Sequence, residues 1–529
     1  MELPRTRTAD PVADEQAEVA GFLADPASYP ARPDSVEKLE THGAMVFLAG
    51  EEAWKIKRAV RFPYMDLSTL EKRRAVCKRE VEINRVWAPQ IYLGCIPITR
   101  ESNGRLAFGG EGEPVEWAVR MRRFAQSDML GSIAEISGIS MELGRSLADA
   151  VFESHATAPR VDDRRGAERF GKLLASTSQN LADLSAILGP KEVERFRKRA
   201  EDQHARAAAV LDRRAEHGCV RRCHGDLHLD NIVMWEGRPT LFDGIEFDEE
   251  LASIDTLYDL AFLLMDLDHR GLRPAANVVL NRYLWRSQEL LDLDGLAALP
   301  LFLGLRAGIR ALVTAERAQQ EQSAAHNESA HRQIEKARRY MRAAITYLVP
   351  QQPELVAIGG LSGTGKSTLA RSLAPRIGPS PGAVHLRSDL ERKALFGRDE
   401  TERLDAEAYT SSASKRVYRR LSEKVRRVLA AGHGVVVDAV LAGEAERQQL
   451  ERIGKDAGVQ LKGLWLTAPP STLIRRVAQR RNDASDATVD VVRMQLGYHI
   501  GTLSAAWKVV DAGGGAAATA RNAEAALAS

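Results

Sequence analysis

The segment GGLSGTGKSTLARSL at 359–373 carries glycines, a lysine and a serine at the spacing of a loop that holds phosphate groups. The run from Gly360 to Ser367 matches G-x-x-x-x-G-K-[ST]; it follows the apolar stretch LVAIG and opens a helical one. In such a loop, backbone N–H groups converge on phosphate oxygens, the lysine reaches the β- and γ-phosphates, and the serine hydroxyl binds Mg²⁺. The pattern predicts ATP and Mg²⁺ as cofactors, with Ser367 as a metal ligand. The predicted nucleotide-binding residues are Gly360, Leu361, Ser362, Gly363, Thr364, Gly365, Lys366, Ser367 and Thr368.

The next apolar run, in VHLRSDLERKALFG, ends at Asp389, and Arg392 follows three residues later. In a doubly wound sheet, the end of the neighbouring strand faces the γ-phosphate. A carboxylate there can accept the proton of an attacking hydroxyl, and an arginine one turn later can hold the acceptor. We predict both residues to be catalytic. For Asp389 the alternative is a helix N-cap without chemistry.

Two further arginines, Arg476 and Arg480, stand at i and i+4 in STLIRRVAQRRNDASDATVDVV. This spacing predicts that they share one helix face. Such charges can close over ATP as a lid and stabilise the transferring phosphoryl group. The alternative is a solvated basic face.

The phosphate loop, SDLERKALFG, VVVDAV and RRNDASDA together resemble the small P-loop kinases of the polynucleotide-kinase, gluconate-kinase and zeta-toxin kind, over residues 354–513. The resemblance implies that Asp389 is the general base, with the arginine of D-x-x-R after it. It also implies lid arginines in the segment that holds Arg476 and Arg480. Asp438 matches the family's strand-3 acid, near the metal or the acceptor. Transfer to an acceptor is expected rather than ATP hydrolysis.

A second group of acids lies in RRCHGDLHLDNIVMWEGRPTLFDGIEFD at 221–248. It contains His224, Asp226 and Asn231, and Asp243 twelve residues after Asn231. An aspartate on a tight loop can take the proton of an acceptor hydroxyl, and the later asparagine and aspartate can bind Mg²⁺ from two sides. The alternative is an acidic loop between strands.

These residues resemble the aminoglycoside phosphotransferase and choline-kinase branch of the kinase-like fold, which has H-G-D-x-H-x-x-N at this place. The resemblance implies that Asp226 is the catalytic base and that Asn231 and Asp243 are metal ligands. It also implies that Asp255 and Asp259 of IDTLYDLAFLL brace the catalytic loop.

The small lobe of such a fold must supply a lysine for ATP, paired with a helix glutamate. AWKIK offers Lys55 and Lys57 on one strand face, and CKREVEINRV offers Glu80 and Glu82. We favour Lys57 with Glu80, although the sequence does not choose between the pairs. The chain has no G-x-G-x-x-G before them, which argues against a protein kinase.

The elements around these motifs predict two fold types. A β-hairpin at 43–60, a helix at 69–87 and a strand at 113–124 precede helices from 130 to 215, a β island at 220–248 and helices to 348. Five later apolar runs alternate with helices, which predicts a parallel sheet with helices on both faces. The fold class is an α+β kinase-like bilobal domain followed by an α/β P-loop NTPase domain.

The predicted boundaries follow from these elements and from the linker LVPQQPEL. They are an N-terminal extension at 1–35, a kinase-like domain at 36–348 (small lobe to about 125, helical lobe from about 126), a linker at 349–353, a P-loop kinase domain at 354–513 and a tail at 514–529.

Composition indicates a soluble cytoplasmic protein, with 44% hydrophobic and 28% charged residues. The four cysteines lack the spacing of a disulfide framework or a zinc site, and the most apolar stretch is interrupted by Arg306 and Arg310, so we predict no membrane span. Residues 1–350 hold 48 Lys and Arg against 53 Asp and Glu, and residues 351–529 hold 26 against 19. The later part therefore suits the more anionic ligands.

These observations predict a bifunctional ATP- and Mg²⁺-dependent kinase acting on hydroxyl groups of small polar molecules, such as sugars or aminoglycoside-like compounds. The order of the halves resembles bacterial proteins that fuse the two domain types. One alternative is a nucleic-acid 5′-hydroxyl kinase, suggested by the basic stretch SKRVYRRLSEKVRRVL at 414–429, though its apolar positions favour an ordinary solvated helix. In the other, one half binds ATP only to regulate the other half. The sequence identifies neither acceptor nor the oligomeric state.

Overall fold

The computed structural model describes residues 11–41, 43–62, 65–323, 327–480 and 483–528. The chain forms two compact units. Unit 1 comprises Met1–Gly138, Glu153–Val161 and Val220–Asp259, and unit 2 comprises Ile139–Phe152, Asp162–Cys219 and Leu260–Ser529. The division therefore falls inside the kinase-like domain and groups most of its helical lobe with the P-loop domain, whereas the sequence suggested a division at the linker.

Unit 1 is built on a six-stranded antiparallel sheet in the order β1-β2-β3-β8-β6-β7. The predicted hairpin is confirmed, since β2 and β3 pair from Ala44 with Lys57 to Ala49 with Glu52. The strands up to this point of the chain are β1 (Val36–Glu40), β2 (Ala44–Ala49), β3 (Glu52–Lys57), β4 (Arg61–Phe62), β5 (Met65–Asp66), β6 (Tyr92–Arg100), β7 (Leu106–Phe108) and β8 (Glu113–Arg122).

Helix α1 (Pro11–Ala24) packs against one face of this sheet. Val19 and Leu23 of α1 and Tyr29 after it are buried in one apolar cluster with Phe47 and Trp54 of the sheet. The described residues 11–35 therefore pack with the small lobe, whereas the sequence analysis predicted a separate extension at 1–35. Helix α1 is short and contains few large apolar residues, so its sequence gives only a weak indication that it packs against the sheet.

The segment of unit 1 that holds the predicted acids is a set of short strands between helices. Helix α2 (Leu70–Asn84) begins at an N-cap in which the Thr69 hydroxyl accepts a hydrogen bond from the backbone N–H of Lys72. The remaining elements are α3 (Leu130–Ser137), β9 (Val220–Arg222), β10 (Ile232–Trp235), β11 (Arg238–Leu241), α8 (Glu249–Ala252) and β12 (Ser253–Asp255). β10 pairs with β11 and β9 with β12, both antiparallel, which places the predicted acids on the connections.

The first part of unit 2 is helical, as predicted. Its helices, two of which begin or end in unit 1, are α4 (Met141–Thr157), α5 (Gly166–Asp183), α6 (Ser185–Leu188), α7 (Pro190–Glu216), α9 (Thr256–His269), α10 (Arg273–Ser287), α11 (Leu290–Gly295), α12 (Leu299–Ser323) and α13 (Asn327–Tyr347). Within the described residues one helical stretch, Leu290–Gln322, is long and apolar enough to cross a membrane by length and composition alone. However, 67% of its most apolar window is buried inside the protein, which is the property of a core helix.

The second part of unit 2 is a five-stranded parallel sheet in the order β14-β15-β13-β16-β17. The predicted parallel sheet is confirmed, and β13, which leads into the phosphate loop, is buried along its whole length. Its strands are β13 (Leu355–Gly360), β14 (Val384–Arg387), β15 (Val435–Asp438), β16 (Leu461–Thr467) and β17 (Trp507–Asp511). Its helices are α14 (Lys366–Leu373), α15 (Ser388–Leu395), α16 (Ser411–Ala430), α17 (Glu444–Asp456), α18 (Pro470–Ala478), α19 (Val489–Leu496) and α20 (Ala516–Ala528).

Helix α20 belongs to this domain. Ala523 is fully buried in the cluster that holds Ile358 and Leu369, and Leu527 packs against the same cluster. The domain therefore extends through Ala528, and its predicted end at residue 513 is wrong. Small alanine side chains allow α20 to approach α14 closely, but they give little periodic contrast in the sequence.

Candidate active sites

The first candidate site lies on the loop between β9 and β10 in unit 1. The Nδ2 atom of Asn231 donates hydrogen bonds to the backbone oxygen and to Oδ2 of Asp226, both at 2.9 Å. The Asp226 side chain is 41% exposed, and Nε2 of His228 lies 3.4 Å from its Oδ2. The structure thus brings the predicted base and one predicted metal ligand together and leaves the carboxylate accessible.

A buried carboxylate holds this loop from behind. Asp259 on α9 accepts backbone hydrogen bonds from His224 at 3.1 Å and from Gly225 at 3.0 Å. Nε2 of His155 lies 3.2 Å from Oδ2 of the same carboxylate. The other predicted bracing acid, Asp255, accepts from the backbone of Leu257 and so caps the start of α9.

Both candidate lysines reach the same glutamate. Lys55 Nζ lies 2.9 Å from Oε1 of Glu80, and Lys57 Nζ lies 2.6 Å from its Oε2. Lys55 also lies 2.5 Å from Oδ1 of Asp243, whereas Lys57 pairs with Glu246. Only Lys55 therefore contacts a predicted metal ligand.

Glu82 points elsewhere. It pairs with Arg79 at 2.9 Å, and its side chain is 69% exposed. Of the two candidate glutamates, only Glu80 lies in the site, where its side chain is fully buried.

Asp243 has an unusual backbone conformation, with a φ of 60°. Its N–H donates to the hydroxyl of Tyr92 at 3.1 Å, and the next N–H, of Gly244, donates to Oδ1 of Asn84 at 2.9 Å. A non-glycine residue in this region is strained and persists only where its surroundings hold it. Burial acts to raise the pKa of Asp243, but the charges of Lys55 and Lys57 outweigh it and hold the pKa below the usual value.

The donor set of this site suits Mg²⁺. Asn231 and Asp243 offer an amide oxygen and a carboxylate, which are hard oxygen ligands of the kind that Mg²⁺ takes. Because Asn231 binds Asp226 through its Nδ2, its oxygen is turned away from that hydrogen bond. The ionised state of Asp243 fits the same role.

The second candidate site is the phosphate loop of unit 2. Gly360 and Gly363 have φ values of 138° and 87°, and a Cβ on either would lie 2.7 Å from a backbone oxygen. Only glycine satisfies both conditions. The Nζ of Lys366 donates to the backbone oxygen of Leu361 at 3.0 Å, which folds the lysine over the loop. Burial lowers the pKa of this ammonium group, and the acids Asp438 and Asp389 act in the opposite direction. The cradle of backbone N–H groups, lysine and Ser367 at the start of α14 suits a nucleoside triphosphate with its metal.

The predicted base of this site, Asp389, lies near Asp438 and Arg387. The sequence analysis had singled out Asp438 but not Arg387. Asp389 lies in the first turn of α15, and the N-cap of that helix is Arg387, so Asp389 is not the cap. Burial raises the pKa of Asp389, whereas Arg387 lowers it; Asp438 raises it further, and Lys366 lowers it. Nε of Arg387 lies 3.4 Å from Oδ2 of Asp438.

Asp438 has the opposite character. Burial would raise its pKa, but the imidazole of His385, 3.4 Å away, and the guanidinium of Arg387 hold the pKa of Asp438 well below the usual value. The two acids thus differ in environment, which raises the pKa of Asp389 and lowers that of Asp438.

Arg392, predicted to hold the acceptor, contacts the protein itself. Its Nη1 donates to the backbone oxygen of Ala408, its Nη2 to the hydroxyl of Ser414 at 3.4 Å, and its guanidinium lies 5.0 Å from the ring centre of Tyr409. These contacts tie α15 to α16 and to the segment before it.

The two lid arginines line one cleft of about 570 Å³ beside the phosphate loop. They do not share a helix, because α18 ends at Ala478 and Arg480 follows it. Arg476 donates to the backbone oxygens of Gly363 at 3.4 Å and Ala512 at 2.8 Å, so it fixes the loop. Arg480 lies 3.8 Å from Asp483, and within the described residues its buried Nη1 has no hydrogen-bond partner.

The lid segment after Arg480 is held by two acids. Asp483 lies 3.2 Å from Nη2 of Arg387, and Asp486 accepts from the fully buried Lys393 at 2.9 Å. The Tyr409 hydroxyl also donates to Asp486, at 2.6 Å. Sequence reasoning missed these pairs, since nothing local marks residues that pair over 77 to 96 positions.

The basic stretch forms α16, with its apolar positions buried as predicted. Arg420 pairs with Glu391 at 2.9 Å and Arg427 with Asp294 at 2.8 Å. The exposed cations of the stretch are Lys415, Arg416, Arg419 and Arg426. Part of the positive charge of the basic stretch is therefore neutralised by ion pairs within the protein.

Two family models match the chain. The phosphotransferase enzyme family matches residues 125–302, and a model described as an AAA domain matches residues 355–499. The chain thus joins a kinase-like phosphotransferase domain to a P-loop kinase domain, as the sequence motifs predicted. It is an ATP-dependent kinase, a phosphotransferase.

An uncharacterized protein of Mycobacterium tuberculosis strain H37Rv is 29% identical over 472 residues, which covers 86% of this chain and 88% of that protein. Among solved structures, the GDP complex of aminoglycoside 2′-phosphotransferase-IIIa is 15% identical and covers 61% of this chain and 98% of its own, with a TM-score of 0.38. A gluconokinase from Sinorhizobium meliloti 1021 is 20% identical and covers 34% of this chain and 94% of its own, with a TM-score of 0.26.

Proposed function

We propose that the protein is a bifunctional ATP- and Mg²⁺-dependent kinase of the cytoplasm, in which each domain phosphorylates a hydroxyl group of a small polar molecule. The observation that carries this proposal is that each kinase-type domain holds its own acid beside its own predicted phosphate- or metal-binding residues. These are Asp226 with Asn231 and Asp243, and Asp389 with Lys366. A domain that only senses ATP needs no base, so two bases support two transfers.

In the kinase-like domain, Asp226 is the proposed base. Asn231 orients its carboxylate, and the backbone hydrogen bonds to Asp259 fix the loop that carries it. Lys55, held by Glu80, is placed to bind phosphate oxygens of ATP. Mg²⁺, held by Asn231 and Asp243, would neutralise charge on the phosphates. Asp226 then accepts the hydroxyl proton as the acceptor oxygen attacks.

In the P-loop domain, Asp389 is the proposed base. Its raised pKa suits proton acceptance near neutral pH better than that of the strongly ionised Asp438. Lys366 and the loop backbone hold the nucleotide, with Ser367 as the metal ligand. Arg480, with a buried N–H group unused within the described residues, is the proposed lid contact to the transferring phosphoryl group. Arg476 and Arg392 position the loop and α15 through backbone contacts.

The experiment is a product screen with full-length protein, ATP and pooled sugars, aminoglycosides, nucleosides and oligonucleotides, read by mass spectrometry. Asp226→Asn should abolish one product and leave the other near the wild-type level, and Lys366→Ala should do the reverse. The matched controls are Asp230→Asn, an exposed acid on the same loop, and Lys462→Ala, an exposed lysine paired with Glu354. Loss of both products from either substitution alone would show one obligatorily coupled reaction instead of two.

A small-molecule acceptor is preferred over a nucleic acid, because Arg420 and Arg427 of α16 are paired with acids. A nucleic-acid kinase should bind an oligonucleotide with an affinity that falls steeply with salt. We expect no such binding at physiological salt. Tight, salt-sensitive binding that is lost in Arg416→Glu/Arg419→Glu would overturn this preference.

A further inference from the structure

A second, smaller cavity lies in unit 2, away from the cleft beside the phosphate loop. It measures about 90 Å³ and lies between α10 of the helical lobe and β14, α14 and α16 of the P-loop domain. The cavity is much smaller than the cleft of about 570 Å³ beside the phosphate loop, so it suits a compact group.

The lining of this cavity is strongly basic. Two acids, Glu391 and Glu400, and five cationic side chains line it. The cations are Arg145, Arg282, Arg371, Arg387 and Lys424. With His385 neutral, the lining residues alone sum to a net charge of +3. Aspartates outside the lining pair with Arg282 and Arg387, so the remaining positive charge that can attract a small anion lies chiefly at Arg371 and Arg145.

The two acids are already engaged. Lys424 lies 2.6 Å from Oε1 of Glu391. Glu400 lies 3.0 Å from Arg282 and 3.5 Å from Arg145. Arg282 also binds Asp149 through two nitrogens, at 2.7 and 2.9 Å. Its guanidinium therefore pairs with two carboxylates, those of Glu400 and Asp149.

Arg371 on α14 is different. Within the part of the chain that the structure describes, its guanidinium has no ion pair and no hydrogen bond, although it is half-buried. Burial lowers the pKa of Arg371, and the charges of Arg387 and Arg145 lower it further, against the weaker pull of Asp483 and Asp438. A half-buried guanidinium in a positive surrounding is costly unless an anion joins it.

We propose that this cavity binds a tetrahedral oxyanion of the phosphate or sulfate class, either free or as the end group of a small molecule, with Arg371 and Arg145 as its principal ligands. The planar guanidinium groups offer paired N–H donors that match such an anion. The site is separate from the two candidate active sites. Arg387 links it to one of them, because this residue lines the cavity and also contacts Asp438 and Asp483.

The test is calorimetric titration of the full-length protein with inorganic phosphate, in the presence of saturating Mg-ADP so that the phosphate loop is filled. Ionic strength is matched with chloride. We expect saturable binding of one phosphate, weakened at least about tenfold in Arg371→Gln and in Arg145→Gln. The control is Arg376→Gln, because Arg376 follows the same helix but is 72% exposed and pairs with Glu524. Its phosphate affinity should match the wild type.

Two further arms complete the test. Titration with glucose 6-phosphate distinguishes the sources: tighter binding than inorganic phosphate identifies an esterified anion, and weaker binding identifies the free one. If Arg371→Gln does not fold, Arg145→Gln decides alone. The Arg145 side chain is 36% exposed, so its replacement should disturb folding less. The proposal is overturned if wild type shows no saturable binding, or if the variants bind phosphate as tightly as wild type does.

Discussion

Asn281 on α10 closes the free edge of β14: its Oδ1 accepts a hydrogen bond of 2.6 Å from the backbone N–H of His385. Its Nδ2 also lies 3.2 Å from the backbone oxygen of Ala383, which Asn277 reaches at 3.0 Å. An open edge strand presents unpaired backbone groups, and here the helical lobe pairs them. The P-loop sheet therefore depends on a helix that precedes it by about a hundred residues in the chain.

We expect Asn281→Ala to destabilise unit 2 by about 1–3 kcal/mol, because the N–H of His385 loses its partner in a partly buried place. The measurement is urea unfolding of the full-length protein, followed by Trp fluorescence. The control is Asn103→Ala, which removes an exposed hydrogen bond to the backbone of Arg105 and should have little effect. Equal stability of Asn281→Ala and wild type would show that the edge does not need this cap.

Lys55 is expected to carry catalysis in the kinase-like domain, and Lys57 to carry stability. Lys55→Met should lower kcat/KM for this activity by about 10²–10³, since it removes a charge that joins Glu80 and Asp243. Lys57→Met leaves the buried Glu246 without its lysine and should cost about 3–5 kcal/mol of folding free energy. Kinetics and thermal melts of both variants separate the two roles. The reverse assignment of effects would restore the prediction that favoured Lys57.

The sequence predicted what is local. The phosphate loop and the run from His224 to Asp243 are spaced motifs within 8 and 20 residues, and both lie on the predicted connections. Lys55 and Lys57 could not be separated, because strand alternation places both on one face and only contacts with Asp243 and Glu246 distinguish them. Arg387 was missed for the same reason, since its role depends on acids brought together by tertiary packing.

Asp259 is expected to act as a positioning residue for the catalytic loop. Asp259→Asn replaces one of two accepting oxygens with a donor, so the N–H groups of His224 and Gly225 cannot both be satisfied. We expect kcat of the kinase-like activity to fall by about 10²-fold with little change in the KM for ATP, since misplacing a reacting group slows chemistry more than binding. The control Asp266→Asn, on the same helix, should lower stability without this loss of kcat. A fall in stability alone for Asp259→Asn would reduce the residue to a structural role.

The last prediction concerns Asp389 and the pH dependence of the P-loop activity. Asp389→Asn should leave the affinity for ATP within a few-fold but reduce transfer by about 10²–10⁴, since it removes the base and not the phosphate loop. Fluorescent-nucleotide titration and product formation by the full-length protein measure the two quantities. Full transfer by the variant would exclude Asp389 as the base, and loss of Mg-ATP binding would make it a metal ligand; both results would direct attention to Asp438.

The sign of the pH effect follows from the environment of Asp389. Burial raises the pKa of Asp389, and a base acts only when it is ionised, so activity should rise with pH through a midpoint above the usual range of an aspartate, which is about 3.9. The charge of Arg387 opposes this shift. Arg387→Gln should therefore move the acid limb of the kcat/KM profile to higher pH, whereas Arg387→Lys should leave it nearer the wild-type position. A midpoint that stays in place in Arg387→Gln would mean that the group controlling the rate is not Asp389.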